Sequence, residues 1–163
     1  MIHNKCKNAI TIITVSKSDL ANLSLTLMSI SEQSYLNYNL VLVISGCDTV
    51  VLENLLANTK IKNVKIILDD GTGIFNAMNI GLLSCESEYA MFLNGGDSFF
   101  DSSSLLAITN QIRKNNDSAN IAFSVLQSYD DDNYWPLELT SGMEKFVASL
   151  AIRTSLINVT LLK

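Results

Sequence analysis

The feature that most constrains the fold of this chain is a repeated alternation between short apolar runs and longer segments with helical periodicity. Apolar runs rich in β-branched residues occupy residues 9–16, 40–44, 64–68, 89–93 and 121–126. Helix-like segments lie between them, at residues 19–33, 50–58, 74–84 and 103–114. This alternation is typical of βα units around a mostly parallel sheet. The sequence therefore predicts an α/β fold, to which residues 143–162 add a short helix and a final strand.

The size and composition of the chain indicate one folded domain. A chain of 163 residues can bury a sizeable core. Hydrophobic residues make up 48% of it and charged residues 17%, with a mean hydropathy of +0.26, which excludes a disordered chain. No stretch approaches the ~20 apolar residues that span a bilayer, and the first apolar run is too short for a signal peptide.

The cysteines and the charge balance narrow the cellular setting and the partners. Cys6, Cys47 and Cys85 are far apart with no CxxC pair, so neither a disulfide framework nor a zinc site is indicated. We expect a reduced, cytoplasmic location, with contact to the inner face of the membrane left open. Eleven basic against sixteen acidic residues, with no Lys/Arg cluster, argue against a nucleic-acid partner. The acidic charge balance still allows a phosphate-bearing small molecule as a ligand, because a metal ion or a few backbone amides can neutralise one diphosphate.

Polar residues and glycines collect where the predicted strands end, which is where open α/β sheets bind their ligands. Asp97 follows two glycines, which allow a ligand to approach the backbone, and its carboxylate suits Mg²⁺ or Mn²⁺ on a diphosphate. On spacing alone, the same residues also fit a plain turn in which Asp97 caps the next helix. Asn76 and Asn79, at i and i+3 on a helix start, are placed to bind a sugar or ribose, or else to cap and face solvent.

Four ordered segments resemble the nucleotide-binding half of family 2 glycosyltransferases of the GT-A fold, especially those that build bacterial surface polysaccharides. The family's first strand, its T-L-x-S-I-x-x-Q helix, its G-I-(Y/F)-D-A-M-N-x-G helix and its F-L-N-x-(D/G)-D strand have counterparts at residues 14–18, 26–33, 73–81 and 92–97. Ser45 and Asn76 stand where the family usually has aspartates. The resemblance implies a Rossmann-like sheet flanked by helices that binds a nucleotide-diphosphate sugar.

The resemblance also implies roles for individual residues. Asp97 would be the ligand of Mg²⁺ or Mn²⁺ beside the diphosphate. Thr14, Val15 and Ser16 would line the base and ribose pocket. The full set expected to contact the nucleotide sugar is Thr14, Val15, Ser16, Ser45, Asp70, Gly73, Asn76, Asn79, Asn94, Gly95 and Gly96.

The implied activity is a metal-assisted, inverting transfer of a hexosyl group to a saccharide or lipid-linked acceptor in surface polysaccharide biosynthesis. Residues 1–128 would form the nucleotide-sugar-binding core, and residues 129–163 a shortened or divergent acceptor side. No catalytic base is identified; candidates by position alone are Asp130, Asp131, Asp132, Glu138 and Glu144. The alternative is a truncated, non-catalytic relative that binds a nucleotide or a partner chain. Exposed apolar surface at residues 146–162 would favour a homo-oligomer.

Overall fold

The fold is a mixed six-stranded sheet with helices on both faces. The computed structural model describes residues 10–114, 121–123 and 155–158. Its elements in chain order are β1 (Ile10–Lys17), α1 (Leu20–Ser31), β2 (Tyr38–Ser45), α2 (Thr49–Ala57), β3 (Val64–Leu68), α3 (Ile74–Leu83), β4 (Tyr89–Phe92), α4 (Ser104–Lys114), β5 (Ile121–Phe123) and β6 (Ser155–Asn158).

The sheet has the strand order β3-β2-β1-β4-β6-β5. β1 pairs in parallel with β2 and β4, and β2 pairs in parallel with β3. β6 is antiparallel to both β4 and β5. The predicted α/β architecture with a mostly parallel sheet is therefore confirmed. Because the first four strands run in the same direction, their carboxyl ends and the loops after them meet at one edge of the sheet.

The larger of two apolar clusters lies between the sheet and the helices α1, α2 and α4. Ile10 and Ile12 point toward this side, and they pack in one cluster with Leu23, Leu27 and Leu52 of the helices. The helical period of α1 explains its contribution, since its buried apolar positions recur every three or four residues. Burial of each such side chain stabilises the fold by about 1.5–3 kcal/mol.

The second cluster lies on the opposite face, beneath α3. Ile13 points to this side because successive strand residues alternate between faces. It packs with Ala77 and Met78 of α3. A Cβ placed on Gly81 would collide with Cγ2 of Ile13, so this glycine allows α3 to lie close against β1. β1 is consequently buried on both faces.

The predicted boundaries agree closely with the observed ones, with small differences at the ends. β3 has the predicted bounds, whereas α1 ends at Ser31 rather than near Gln33. β5 is described only at Ile121–Phe123, and a final strand is present as β6. The predicted short helix in residues 143–162, the apolar surface at 146–162 and all the candidate bases lie outside the described residues. Within the described part of the chain, no helix is long and apolar enough to cross a membrane.

Candidate functional site

Residues 94–97 form a tight turn directly after β4. The backbone N–H of Asp97 donates to the carbonyl of Asn94 at 2.9 Å, and Gly96 has φ 98°, which suits the second central position of a type II turn. α4 begins later, at Ser104, and the carboxylate of Asp101 accepts the N–H of Ser103 there at 2.9 Å. The predicted turn is therefore present, but Asp97 does not cap α4.

This turn lies against the end of β1. The N–H of Gly95 donates to the carbonyl of Val15 at 2.9 Å, which continues the β1–β4 pairing beyond Phe92. A Cβ on Gly95 would lie 2.8 Å from Oγ and 3.0 Å from Cβ of Ser16. Any side chain at position 95 would therefore push the turn away from β1. The structure thus brings Val15, Ser16, Asn94, Gly95, Gly96 and Asp97 together.

The end of β2 lies against the chain that follows each neighbouring strand, β1 and β3. Ser18, which has a left-handed φ of 54°, donates its backbone N–H to the carbonyl of Ser45 at 3.0 Å. On the other side, a Cβ on Gly71 would lie 3.8 Å from Cβ and Oγ of Ser45. Ser45 is buried. It is therefore part of the same edge as the 94–97 turn, through β1.

The two aspartates after β3 differ in their surroundings. Asp69 donates its N–H to the carbonyl of Ile44 at 2.8 Å, and its Oδ2 accepts the N–H of Gly71 at 3.1 Å. Its Oδ1 is buried without a hydrogen-bond partner. Asp70 is exposed, and its Oδ1 accepts the N–H of Thr72 at 3.2 Å. Asp69, which sequence reasoning did not select, thus retains a buried carboxylate oxygen without a partner, and Asp70 is exposed.

Three buried side-chain oxygens of the sheet and its loops have no hydrogen-bond partner. They are Oγ1 of Thr14, Oδ1 of Asp69 and Oδ1 of Asn94, and they are the complete set of such atoms in the described part of the chain. Thr14 is 0% exposed and Asn94 is 8% exposed. Asp69 and Asn94 lie just after the ends of β3 and β4, whereas Thr14 lies inside β1, three residues before its end. A buried oxygen without a partner is costly, so Oδ1 of Asp69 and Oδ1 of Asn94, just after two strand ends, are candidate acceptors for a ligand.

The asparagines of α3 lie on the exposed side of a helix that packs on the other face of the sheet. Asn76 and Asn79 are both exposed, and Nδ2 of Asn76 donates to Oγ1 of Thr72 at 2.7 Å. α3 begins after Gly73, which has φ 130° and also lies at the surface. The structure therefore places these three residues near the surface and gives Asn76 a local partner.

The comparison with protein families decides which family this arrangement represents. The family model described as glycosyl transferase family 2 matches residues 11–160. The chain belongs to glycosyl transferase family 2. Its fold is accordingly the GT-A fold that the sequence motifs implied. A comparison with curated proteins finds no match.

Solved structures of low sequence identity share this family 2 fold. TarS 1–349 from S. aureus in complex with UDP-GlcNAc has a TM-score of 0.76 at 15% identity, covering 94% of this chain and 46% of the TarS chain. Mannosyltransferase PcManGT from Pyrobaculum calidifontis, in complex with GDP-Man and Mn²⁺, has a TM-score of 0.62 at 16% identity, covering 75% and 36%. The chain thus spans less than half the length of these two structures.

A nucleotide-handling enzyme of another kind has a related fold. 4-Diphosphocytidyl-2C-methyl-D-erythritol synthase from Anaerococcus prevotii matches with a TM-score of 0.64 at 18% identity, covering 96% of this chain and 72% of that one. Because these identities are low, the structural likeness shows the fold and does not assign a substrate.

The family 2 chain offers oxygen ligands for a metal ion at the 94–97 turn. Within the described residues, no group of three or more His, Cys, Asp or Glu side chains could hold a metal ion by itself. The carboxylate of Asp97 and the unpartnered Oδ1 of Asn94 are hard oxygen donors on this turn. They fit Mg²⁺ or Mn²⁺, which usually complete their coordination with phosphate oxygens and water.

A polar stripe on α1 also contacts this segment, although sequence reasoning did not assign it to the site. Oγ1 of Thr26 donates to the carbonyl of Asp97 at 2.7 Å and accepts the N–H of Gly96 at 2.9 Å. Ser29 and Gln33 bond to the chain further along. The available signal was their spacing, since positions i, i+3 and i+7 share one face of a helix.

Proposed function

We propose that this family 2 chain binds the nucleotide-diphosphate sugar donor of a metal-assisted glycosyltransferase. The observation that carries the proposal is a pair of buried, unpartnered oxygens, Oδ1 of Asp69 and Oδ1 of Asn94, just after the ends of the parallel strands β3 and β4. Carboxylate and amide oxygens accept hydrogen bonds, so the matching ligand presents donors or a cation. A nucleoside base, sugar hydroxyls and a metal-bound diphosphate together provide these groups.

We propose that different strand ends contact different parts of the donor. We assign Thr14, Val15 and Ser16 to the base and ribose, with Ser45 beside them. At the end of β3 we assign the base contact to Asp69 in place of Asp70, because only Asp69 has a buried oxygen without a partner. Gly95 and Gly96 allow the diphosphate to approach the backbone. Gly73, Asn76 and Asn79 are proposed to contact the donor from the α3 side.

We propose that Asp97, with Asn94, holds Mg²⁺ or Mn²⁺. When bound, the metal would stabilise the negative charge of the departing nucleoside diphosphate. Support comes from the oxygen donors of the turn and from the Mn²⁺ and GDP-Man complex of the structurally similar mannosyltransferase. The side chains of this chain would orient the donor and keep water away from its buried end.

The proposed reaction is an inverting hexosyl transfer to a saccharide or lipid-linked acceptor in surface polysaccharide biosynthesis. It would take place in the cytoplasm, at the inner face of the membrane. A carboxylate base would remove the proton of the acceptor hydroxyl. Residues 1–128 would bind the donor and residues 129–163 would face the acceptor, with a homo-oligomer as a further arrangement to test.

Calorimetric titration tests the donor site directly. UDP, GDP, UDP-GlcNAc and GDP-mannose are titrated with and without Mn²⁺ into the wild type, Asp97→Asn and Glu86→Gln. Glu86 is an exposed carboxylate before β4, at the opposite edge of the sheet, so its substitution makes the same change in charge away from the site. We expect one nucleotide to bind with Mn²⁺, and Asp97→Asn to weaken that binding at least about tenfold, which corresponds to 1.4 kcal/mol.

The proposed metal site fails if no nucleotide binds in a Mn²⁺-dependent manner, or if Asp97→Asn binds as the wild type does. An equal loss in Glu86→Gln would show that overall charge, not position, sets the affinity. Binding without sugar transfer to any acceptor would favour the non-catalytic alternative. Detection of the released nucleoside diphosphate in the presence of an acceptor distinguishes transfer from binding alone.

A further inference from the structure

One polar stripe of the first helix bonds to the chain segment that contains the proposed metal ligand. Thr26 and Ser29 lie on α1, and Gln33 follows its C-terminus. Thr26 is 0% and Gln33 is 3% exposed. Each of the three bonds to a residue between 94 and 105, about seventy positions away in the sequence. We call these residues the α1 polar stripe.

The side-chain hydroxyl of Thr26 forms hydrogen bonds with two backbone groups of the turn, the N–H of Gly96 and the carbonyl of Asp97. Its Oγ1 accepts the N–H of Gly96 at 2.9 Å. A hydroxyl has one proton to donate, and the nearest carbonyl is that of Asp97 at 2.7 Å, whereas those of Asn22 and Asn94 lie at 3.3 Å. The hydroxyl therefore accepts a hydrogen bond from the N–H of Gly96 and donates one to the carbonyl of Asp97. It links the backbone of these two consecutive residues.

Ser29 and Gln33 hold the chain that follows the turn. Oγ of Ser29 accepts the N–H of Phe99 at 3.2 Å. The amide of Gln33 donates to the carbonyl of Asp101 at 2.7 Å and accepts the N–H of Leu105 at 2.9 Å. Gln33 thus links the end of the loop to the first turn of α4.

Hydrogen bonds to α1 are well suited to determine the shape of this segment, because residues 93–103 belong to no helix or strand. Backbone bonds such as those from Gly95 to Val15 and from Asp97 to Asn94 hold parts of it, and side-chain bonds and packing set the rest of its conformation. The carboxylate of Asp97 projects from the same residue whose carbonyl Thr26 holds. The bond from Thr26 is therefore one of the contacts that set the position of this carboxylate.

We infer that the α1 polar stripe consists of positioning residues that set the place of the Asp97 carboxylate for the metal ion, with Thr26 as the principal one. The inference rests on the proposed function. It assigns a role to side chains of α1 through their contacts with residues 96–105. The stripe acts through the backbone of residues 96–105, so its loss should affect metal-dependent binding more than metal-free binding.

The test compares Thr26→Val, Thr26→Ser and Thr109→Val with the wild type. Valine keeps the shape of threonine and removes the hydroxyl, whereas serine keeps the hydroxyl. Thr109 is the matched control, because it is 4% exposed and its hydroxyl donates only within α4, to the carbonyl of Leu106 at 2.9 Å. Calorimetry measures nucleoside-diphosphate affinity with and without Mn²⁺, and amide hydrogen exchange of the ligand-free protein follows Gly96.

We expect Thr26→Val to weaken Mn²⁺-dependent binding about tenfold, and to change metal-free binding about threefold or less. Its Gly96 amide should exchange about tenfold faster without ligand, because the acceptor of that N–H is gone. Thr26→Ser should recover most of the affinity. Thr109→Val should leave both the affinity ratio and the exchange of Gly96 at wild-type values.

Three results would overturn the inference. Unchanged Mn²⁺ dependence in Thr26→Val, with faster exchange of Gly96, would make the bond purely structural. An equal change in Thr109→Val would show a general effect of losing a buried hydroxyl. A wild type without Mn²⁺-dependent binding would end the proposed function and the inference together. If Thr26→Val does not fold, Ser29→Ala provides the same comparison at a half-buried position, with a smaller expected loss of about threefold.

Discussion

At the scale of single residues, the adjacent aspartates after β3 show how strongly burial separates similar side chains. Asp70 forms a local turn with the N–H of Thr72 at the surface. Asp69 uses one carboxylate oxygen for the N–H of Gly71 and retains a buried one without a partner. A hydrogen bond to a charged group is worth about 1.5–3 kcal/mol, so a ligand donor at this oxygen would contribute measurably to affinity.

We predict that Asp69→Asn weakens nucleoside-diphosphate binding about tenfold or more, whereas Asp70→Asn changes it about twofold or less. The substitution replaces one acceptor oxygen of Asp69 by an amide donor, which repels a base N–H. Titration of UDP and GDP into both variants measures the difference, and thermal melting confirms that both are folded. A larger loss of affinity in Asp70→Asn than in Asp69→Asn would assign the base contact to Asp70.

At the scale of elements, the start of α4 depends on a carboxylate that is not part of the donor pocket. The hydroxyls of Ser103 and Ser104, followed by the backbone N–H of Ser103, hold the pKa of Asp101 below its usual value. These bonds satisfy backbone and side-chain groups before the helix, as a capping residue does. Negative charge at a helix N-terminus is also favourable.

We predict that Asp101→Ala lowers the melting temperature at pH 7 and that the difference shrinks in acid. Because the folded pKa lies below the unfolded one, the contribution is present above the unfolded pKa and is lost as the pH falls through the folded pKa. Melting curves at pH 7 and near pH 3 measure it. Glu53→Ala, on the exposed surface of α2, is the control. A difference that stays constant with pH would show that Asp101 acts without its charge.

At the scale of the whole molecule, β1 is a central strand that contributes side chains to both apolar clusters. It lies between β2 and β4, with Ile12 in the cluster under α1 and Ile13 in the cluster under α3. β3 lies at the edge of the sheet, where Ile66 is 38% exposed, while Ile12 is 0% exposed. Loss of side-chain volume should therefore be much more costly at the centre than at the edge.

We predict that Ile12→Ala destabilises the protein by about 2–5 kcal/mol and that Ile66→Ala costs about 1 kcal/mol or less. The pair makes the same chemical change in parallel strands, so the difference reports burial. Urea unfolding followed by circular dichroism gives the free energy of unfolding of each variant. Similar losses at the two positions would contradict the central role of β1.

Periodicity, turn residues and motif order were sufficient to predict the α/β class, the helices and most strand boundaries. These properties are local: β-branched runs favour strands, and Asp19 and Asp48 cap the helices that follow them. The four motifs also implied the GT-A family correctly, because they occur in the family's order on two strand ends and two helices. The turn at Gly95 and Gly96 could be predicted for the same reason.

Only the tertiary structure could select among the polar residues at those strand ends. Whether Asp69 or Asp70 has a free buried oxygen depends on how β3 packs beside β2, and no local pattern contains that information. The bond from Thr26 to Asp97 likewise joins segments far apart in sequence. Secondary structure follows from local chemistry, whereas burial and satisfaction of polar atoms follow from which distant segments meet.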